Sequence, residues 1–267
     1  MLTVSKLRRY AFCPLLLYLD ETLHLEPEPS YEQWYGRVGH CIRYELSLRN
    51  HKVLREVKDP KISLSGLNTL FLIELENIKQ EVPFIYKDEL LALTDVEIML
   101  EQAAKEISLE LEGLARRARS VIRETCLLGD ELAGALTPWK AEFPIRSKKL
   151  GLSGRLDKIE KRDGRLIPVE IKTGRPAPYV WDSDKLQLAA YAMLLEERFD
   201  VSVPYGFVEY TRINEKRPVI IDGKSRRDLL ALKKEVEEFL ESGEKPMVER
   251  NKNKCRKCGF KGVCSAD

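Results

Sequence analysis

No apolar run in this 267-residue chain approaches the roughly 20 residues that a helix needs to cross a bilayer. A secretory leader is equally hard to find. The opening residues, MLTVSKLRRYAFCPLLLYLD, set a short apolar stretch behind Lys6, Arg8 and Arg9, but Tyr18, Asp20 and Glu21 stand where a signal peptide needs small residues. The chain is therefore read as cytoplasmic, with no membrane partner. Net charge is almost missing: 45 Lys+Arg against 43 Asp+Glu leave +2. Such a balance neither demands nor excludes nucleic acid, because a local basic groove coexists easily with acidic surface elsewhere. No GxxxxGK[ST] occurs, so a nucleotide-driven helicase motor is excluded from these residues. Internal repeats, low-complexity tracts and Gly-Ser linkers are absent too. What is present, 43% hydrophobic and 33% charged residues with a mean hydropathy of −0.33, is a soluble globular composition, enough for one large domain or two small ones.

Six cysteines are few for a disulfide scaffold of this length. Three of them, Cys255, Cys258 and Cys264, crowd into KCRKCGFKGVC near the carboxyl terminus, and Cys13 stands far away in YAFCP. Three clustered thiols and a distant fourth complete a four-thiolate shell, which suits either an iron–sulfur cluster or a zinc ion. Spacing alone leaves both open. Either way Cys13 would clasp the two chain ends together. Cys41 and Cys126, within and at the end of helical segments, read as small buried hydrophobes.

The chain divides by texture. A helix is expected over 30–48, carrying Gly36, Gly39, His40 and Glu45, and residues 51–135 are mostly helical. In that stretch Thr94 with Glu97 forms a capping box. Val96, Leu100, Ala103, Ile107, Leu111, Leu114, Ala118 and Val121 then follow the three-four repeat of a buried stripe. From Trp139 the pattern turns to strands. WKAEFPIRS alternates, and GLSGRLDKIE and RLIPVEIKT flank an Asp163-Gly164 hairpin turn. A helix over 181–198, strands in PYGFVEYT and RPVIID, and a charged amphipathic helix over 225–241 complete the series. This order argues an α/β core with a mixed sheet and a helical insertion.

Asp157 falls on the first hairpin strand, and Glu170 and Lys172 on the second, where residues two apart face the same side. Taken alone, a D…ExK match reads as a solvated hairpin face with a cross-strand salt bridge. A divalent cation offers the other reading, since it relieves the repulsion between Asp157 and Glu170 and lets Lys172 orient or help deprotonate a bound water.

The surroundings decide between them. Gly154-Arg155-Leu156-Asp157, then Val169-Glu170-Ile171-Lys172-Thr173-Gly174, then Gln187-Leu188-Ala189-Ala190-Tyr191 resemble the RecB-like branch of the PD-(D/E)XK nuclease superfamily. Gln187 and Tyr191, four apart, share one helical face. Gly36-Arg37-Val38-Gly39-His40 is similar to that branch's first motif, in which the histidine is a metal ligand. At the ends, Ser5-Lys6-Leu7 through Phe12-Cys13-Pro14 with Tyr18-Leu19, and the terminal CxxCxxxxxC, resemble the CRISPR-associated RecB-like exonuclease family. The likeness covers the first 45 residues and everything after Trp139, and departs from the family in 51–135.

The resemblance implies a restriction-endonuclease-like core: a mixed central β-sheet flanked by helices, with a helical insertion and a cysteine-ligated cluster joining the terminal segments. It divides the chain into a terminal segment (1–50), a helical insertion (51–135), a nuclease core (136–245) and a cluster tail (246–267). It implies metal-dependent DNA cleavage on single strands or DNA ends, processing fragments for CRISPR spacer acquisition, with integrase proteins as partners. His40, Asp157, Glu170 and the carbonyl of Ile171 would hold Mg²⁺ or Mn²⁺, Lys172 would position the water, and Gln187 and Tyr191 would steady the site. Cys13, Cys255, Cys258 and Cys264 would hold a four-iron, four-sulfur cluster. Arg8, Arg9, Arg155 and Arg175 would contact phosphates, and Trp34, Tyr35 and Trp181 either stack on bases or belong to the core. The rival readings are a recombination or repair nuclease of the same fold, and a non-catalytic subunit that binds DNA ends.

Overall fold

The computed structural model describes residues 1–93, 95–174, 176–256 and 258–264. Thr94, expected to cap a helix, and Arg175, expected at a phosphate, lie outside the described residues. The chain opens with a two-residue strand β1 (Leu2–Thr3), whose Thr3 side chain caps α1 (Val4–Phe12). Pro14 starts α2 (Pro14–Glu21), where its fixed φ and missing N–H are tolerated. The long α3 (Tyr31–Arg55) begins with a full capping box between Ser30 and Gln33 and runs seven residues beyond the expected end.

Residues 51–135, expected to be mostly helical, contain α4 (Leu64–Ile85), α5 (Lys87–Leu90) and α6 (Val96–Thr125), and α7 (Gly129–Leu136) follows. Along α6, Leu100, Ala103, Ile107, Leu111, Leu114 and Ala118 are buried as the periodicity requires, and Val96 and Val121 flank them half-buried. The N-cap position of α6 is Asp95, which makes no side-chain cap bond. Cys126 departs from its expected burial: it closes α6 as an exposed residue at φ +59°. Cys41 is half-buried against the helical core.

Five further elements build the sheet: β2 (Lys140–Ser147), β3 (Leu152–Arg162), β4 (Arg165–Lys172), β5 (Tyr205–Tyr210) and β6 (Glu215–Ile220). Between β4 and β5 runs α8 (Asp182–Phe199), and α9 (Gly223–Ser242) and the single turn α10 (Lys252–Cys255) follow β6. The order is β1-β3-β4-β5-β6, with β2 on the other edge of β3. Pairings β1/β3 and β4/β5 are parallel and the rest antiparallel, so the sheet is mixed. Asp163 (φ +49°) and Gly164 (φ +77°) make the two-residue hairpin turn between Arg162 and Arg165, as Asp-Gly favours.

Two hydrophobic cores result. One lies between the sheet, α1, α8 and α9, around Leu7, Leu156, Leu188, Leu195, Val208 and Val236. The other fills the helical layer and takes Val38, Ile42 and Leu46 from α3 together with Phe71, Ile107 and Ile122. α3 belongs to this helical core and also packs against β2, so it can carry a side chain to the sheet. A small third cluster joins Leu15 and Leu19 to Phe260. Among the described residues no helix is long and apolar enough to cross a membrane.

Candidate active site

β3 pairs along its first edge with β2, from Leu152 to Ile159, while its second edge is divided. β1 pairs with Leu152 and Ser153 there, and β4 takes over only from Lys158. Between these two ladders the strands part, and the fork is filled by side chains. The carboxylate of Asp157 accepts the N–H of Ile171 at 2.7 Å, standing in for a missing ladder bond. The Tyr191 hydroxyl on α8 donates to the carbonyl of Arg155 at 2.7 Å. α8 can come this close because of Gly154: a Cβ there would sit 2.8 Å from the Tyr191 ring. On the other side Gly39 of α3 leaves room for the guanidinium of Arg43 one turn further along the same helix, which a Cβ would approach to 2.7 Å, and a Cβ there would lie 3.7 Å from Thr173.

Glu170, only 4% exposed, stands at the centre of a polar cluster. Its carboxylate accepts from Gln187 Nε2 at 2.8 Å and from Lys172 Nζ at 3.0 Å, and the Arg8 guanidinium lies 3.8 Å away. Gln187 also donates to the Tyr191 hydroxyl at 3.3 Å, and Arg8 to the Gln187 carbonyl oxygen at 3.4 Å. Burial alone would lower the Lys172 ammonium pKa; Glu170 and Asp184 outweigh burial and Arg8 and raise it. Burial likewise raises the Tyr191 phenol, so it stays a hydrogen-bond donor.

On the α3 side, His40, Glu142 and Asp157 bring one ligand atom each to within 4.8 Å of one another. Glu142 was not anticipated as a site residue. It lies on β2 between Ala141 and Phe143, the neighbours of Lys158 and Leu156 across the ladder, which sets it opposite Asp157. Its φ of +44° is strained for a residue with a side chain, and its carboxylate reaches 3.8 Å from His40 Nδ1. Burial first, and the Glu170 charge second, push Asp157 up to about 7. Burial pulls His40 down, but Glu142, Asp157 and Glu170 outweigh it and raise it above the ordinary histidine value. Two carboxylates facing one imidazole form a donor set suited to a divalent ion. A cavity of about 620 Å³ opens onto this trio between Arg37, Tyr86 and Arg155. The sequence-predicted residues thus meet at one fork, but His40 and Asp157 turn to Glu142 while Glu170 is engaged by Lys172 and Gln187. Ile171 contributes its N–H to Asp157.

Residues 1–265 match the family model of the PD-(D/E)XK nuclease superfamily. This chain belongs to the PD-(D/E)XK nuclease superfamily. Curated relatives include a CRISPR-associated exonuclease Cas4/endonuclease Cas1 fusion of Leptospira interrogans, 35% identical over 46% of this chain and 24% of that protein. A CRISPR-associated exonuclease Csa1 of Saccharolobus solfataricus is 26% identical over 52% of this chain and 48% of its own. A CRISPR-associated exonuclease Cas4 of Francisella tularensis subsp. novicida is 27% identical over 68% and 86%. The chain spans a quarter to a half of the length of the first two.

For a PD-(D/E)XK protein a divalent metal is implied, and the His40, Glu142 and Asp157 donors fit one. The other predicted residues divide by location. Arg8 reaches the carboxylate cluster, Arg155 lines the cavity, and Arg9 is engaged in an ion pair with Asp20. Tyr35 is core, and Trp34 is half-buried under the Arg37 guanidinium at 4.7 Å. Trp181, at the start of α8, is 48% exposed and meets the 58% exposed Tyr179 edge-to-face at 4.7 Å. Away from the fork, Cys13, Cys255, Cys258 and Cys264 line a common cavity of about 610 Å³, walled by Leu15, Leu16, Leu19 and Val248. Burial, and then the other three thiols, raise Cys258.

Proposed function

We propose that this chain is a divalent-metal-dependent deoxyribonuclease that trims single-stranded DNA or DNA ends, preparing fragments for CRISPR spacer acquisition. The observation that carries it is the fork, where His40, Glu142 and Asp157 face one another beside the Glu170–Lys172 pair. When bound, a Mg²⁺ or Mn²⁺ ion polarises the scissile phosphate and acidifies the attacking water. His40, Glu142 and Asp157 would hold it, with Glu170 beside them as a further carboxylate. The Lys172 ammonium, held between Glu170 and Asp184, neutralises charge developing on the phosphate and orients the water. Gln187 and Tyr191 fix Glu170 and the open strand, and Arg8 and Arg155 receive neighbouring phosphates. The exposed Tyr179–Trp181 pair supports a single-stranded substrate, because unpaired bases stack on such faces.

Cys13, Cys255, Cys258 and Cys264 hold a four-iron, four-sulfur cluster in this reading, supported by their gathering in one cavity with room for it. Integrase proteins are the proposed partners, and the Cas1-fused relatives support this. The division at 50, 135 and 245 and the cytoplasmic location belong to the same proposal. End-labelled single-stranded DNA incubated with Mn²⁺ tests it: the wild-type chain should shorten the label, and Glu170→Ala should not. Equal shortening by both proteins, or by neither, would sink the reading. An anaerobic preparation should be brown; a colourless protein with stoichiometric zinc would refute the cluster.

A further inference from the structure

Lys172 has two carboxylate neighbours, and only one of them belongs to the fork. The second, Asp184, lies in the first turn of α8, 5% exposed, with its Oδ1 2.8 Å from Lys172 Nζ. Glu170 Oε1 is at 3.0 Å from the same nitrogen. We propose that Asp184 is the positioning residue of Lys172, sharing its ammonium with Glu170 so that the lysine keeps its place at the fork without depending on Glu170 alone; this rests on the nuclease reading of that site.

The helix explains the arrangement. Asp184, Gln187 and Tyr191 fall at i, i+3 and i+7, so one face of α8 carries all three. Each serves a different group: Asp184 the lysine, Gln187 the Glu170 carboxylate at 2.8 Å, and Tyr191 the unpaired carbonyl of β3. α8 is fixed there by its buried Leu188, Ala189, Ala192 and Leu195, and its first turn by the Asp184 N–H donated to the Trp181 carbonyl at 2.9 Å. A carboxylate this deeply buried is costly unless a cation answers it, and Lys172 is that cation. The charges also sort correctly. Two carboxylates, Glu170 and Asp184, share two cations, Lys172 and Arg8. Remove Asp184 and Glu170 is left as the carboxylate that alone holds Lys172, so the ammonium is drawn wholly onto it. Asp184 itself lies outside the trio that would hold the ion.

Two measurements on the full chain test this, one of them independent of turnover. In the metal-free protein labelled with ¹⁵N at lysine Nζ, a twice-paired buried ammonium should give a distinct resonance, assigned by its loss in Lys172→Met. Asp184→Asn should move or broaden it, and an unmoved resonance overturns the proposal whether or not the chain cleaves DNA. With Mn²⁺ and single-stranded DNA, Asp184→Asn should lower kcat roughly 10- to 100-fold, as a displaced catalytic group does, with KM little changed. Asp184→Glu should recover part of it. In a Lys172→Met background the further loss from Asp184→Asn should stay within about two-fold, because both changes remove the same lysine contribution. A fully additive loss would mean that Asp184 acts elsewhere. A wild-type chain without cleavage would instead defeat the nuclease reading, leaving the resonance to judge Asp184.

Discussion

Replacing Asp157 with Asn should make the metal-free chain more stable near pH 8 while abolishing its response to Mn²⁺. The folded chain holds the Asp157 proton up to about 7, against an ordinary value of 3.8. It therefore binds more protons than the unfolded chain between those values, and stability falls as pH rises through that window. At about 1.36 kcal/mol for each pH unit, the ionised carboxylate costs about 4 kcal/mol by pH 8, of which about 2 kcal/mol accumulates between pH 5 and 7. His40, also raised, acts in the same direction: its stabilisation is complete below its unfolded value and disappears as pH rises through the folded one. Asn keeps an oxygen to accept the Ile171 N–H, but carries no charge to bury. Urea titrations at pH 5 and pH 8 should thus show the variant gaining on the wild type by about 3 kcal/mol over the interval. Mn²⁺ at a hundred times its Kd should stabilise the wild type at pH 8 by about 2.7 kcal/mol, and the variant by almost nothing. A stability difference between the two proteins that is the same at both pH values would refute the burial argument; equal stabilisation by Mn²⁺ would refute Asp157 as a ligand.

Three other outcomes are expected. Glu142→Gln should weaken Mn²⁺ binding about 10- to 100-fold in an electron paramagnetic resonance titration, because it replaces one of two facing carboxylates with a neutral group. Unchanged affinity would remove Glu142 from the site. Lys172→Met should bind Mn²⁺ at least as well as wild type while turnover falls by about two to three orders of magnitude, as loss of a group that stabilises transition-state charge does; lost metal binding would make the lysine structural. Cys13→Ser should bleach the chromophore and lower the melting temperature, since a link from Cys13 to Cys264 restricts the unfolded chain by about 5 kcal/mol. Cys126→Ser, at an exposed helix end, should do neither.

Periodicity and turn chemistry determined most of the elements without help from packing. The α6 stripe, the Asp163-Gly164 hairpin and the alternating strands after Trp139 depend on neighbours a few residues apart, and they stand where those patterns put them. The pairing of Asp157 with Glu170 and Lys172 was legible for the same reason, because one short turn joins their strands. Asp184 left a fainter trace, three residues before Gln187 on one helical face. Nothing local announced β1, which is two residues long and exists only because β3 offers an edge. Nor could the sequence pair Glu142 with His40: they are 102 positions apart, and meet because β2 sits in register against β3 while α3 packs against β2. Arg8 reaches Glu170 across 162 positions once α1 packs on α8. Which side chains share the fork was decided by strand register and helix packing, since a register shift of one residue would turn Glu142 or Asp157 to the opposite face of the sheet.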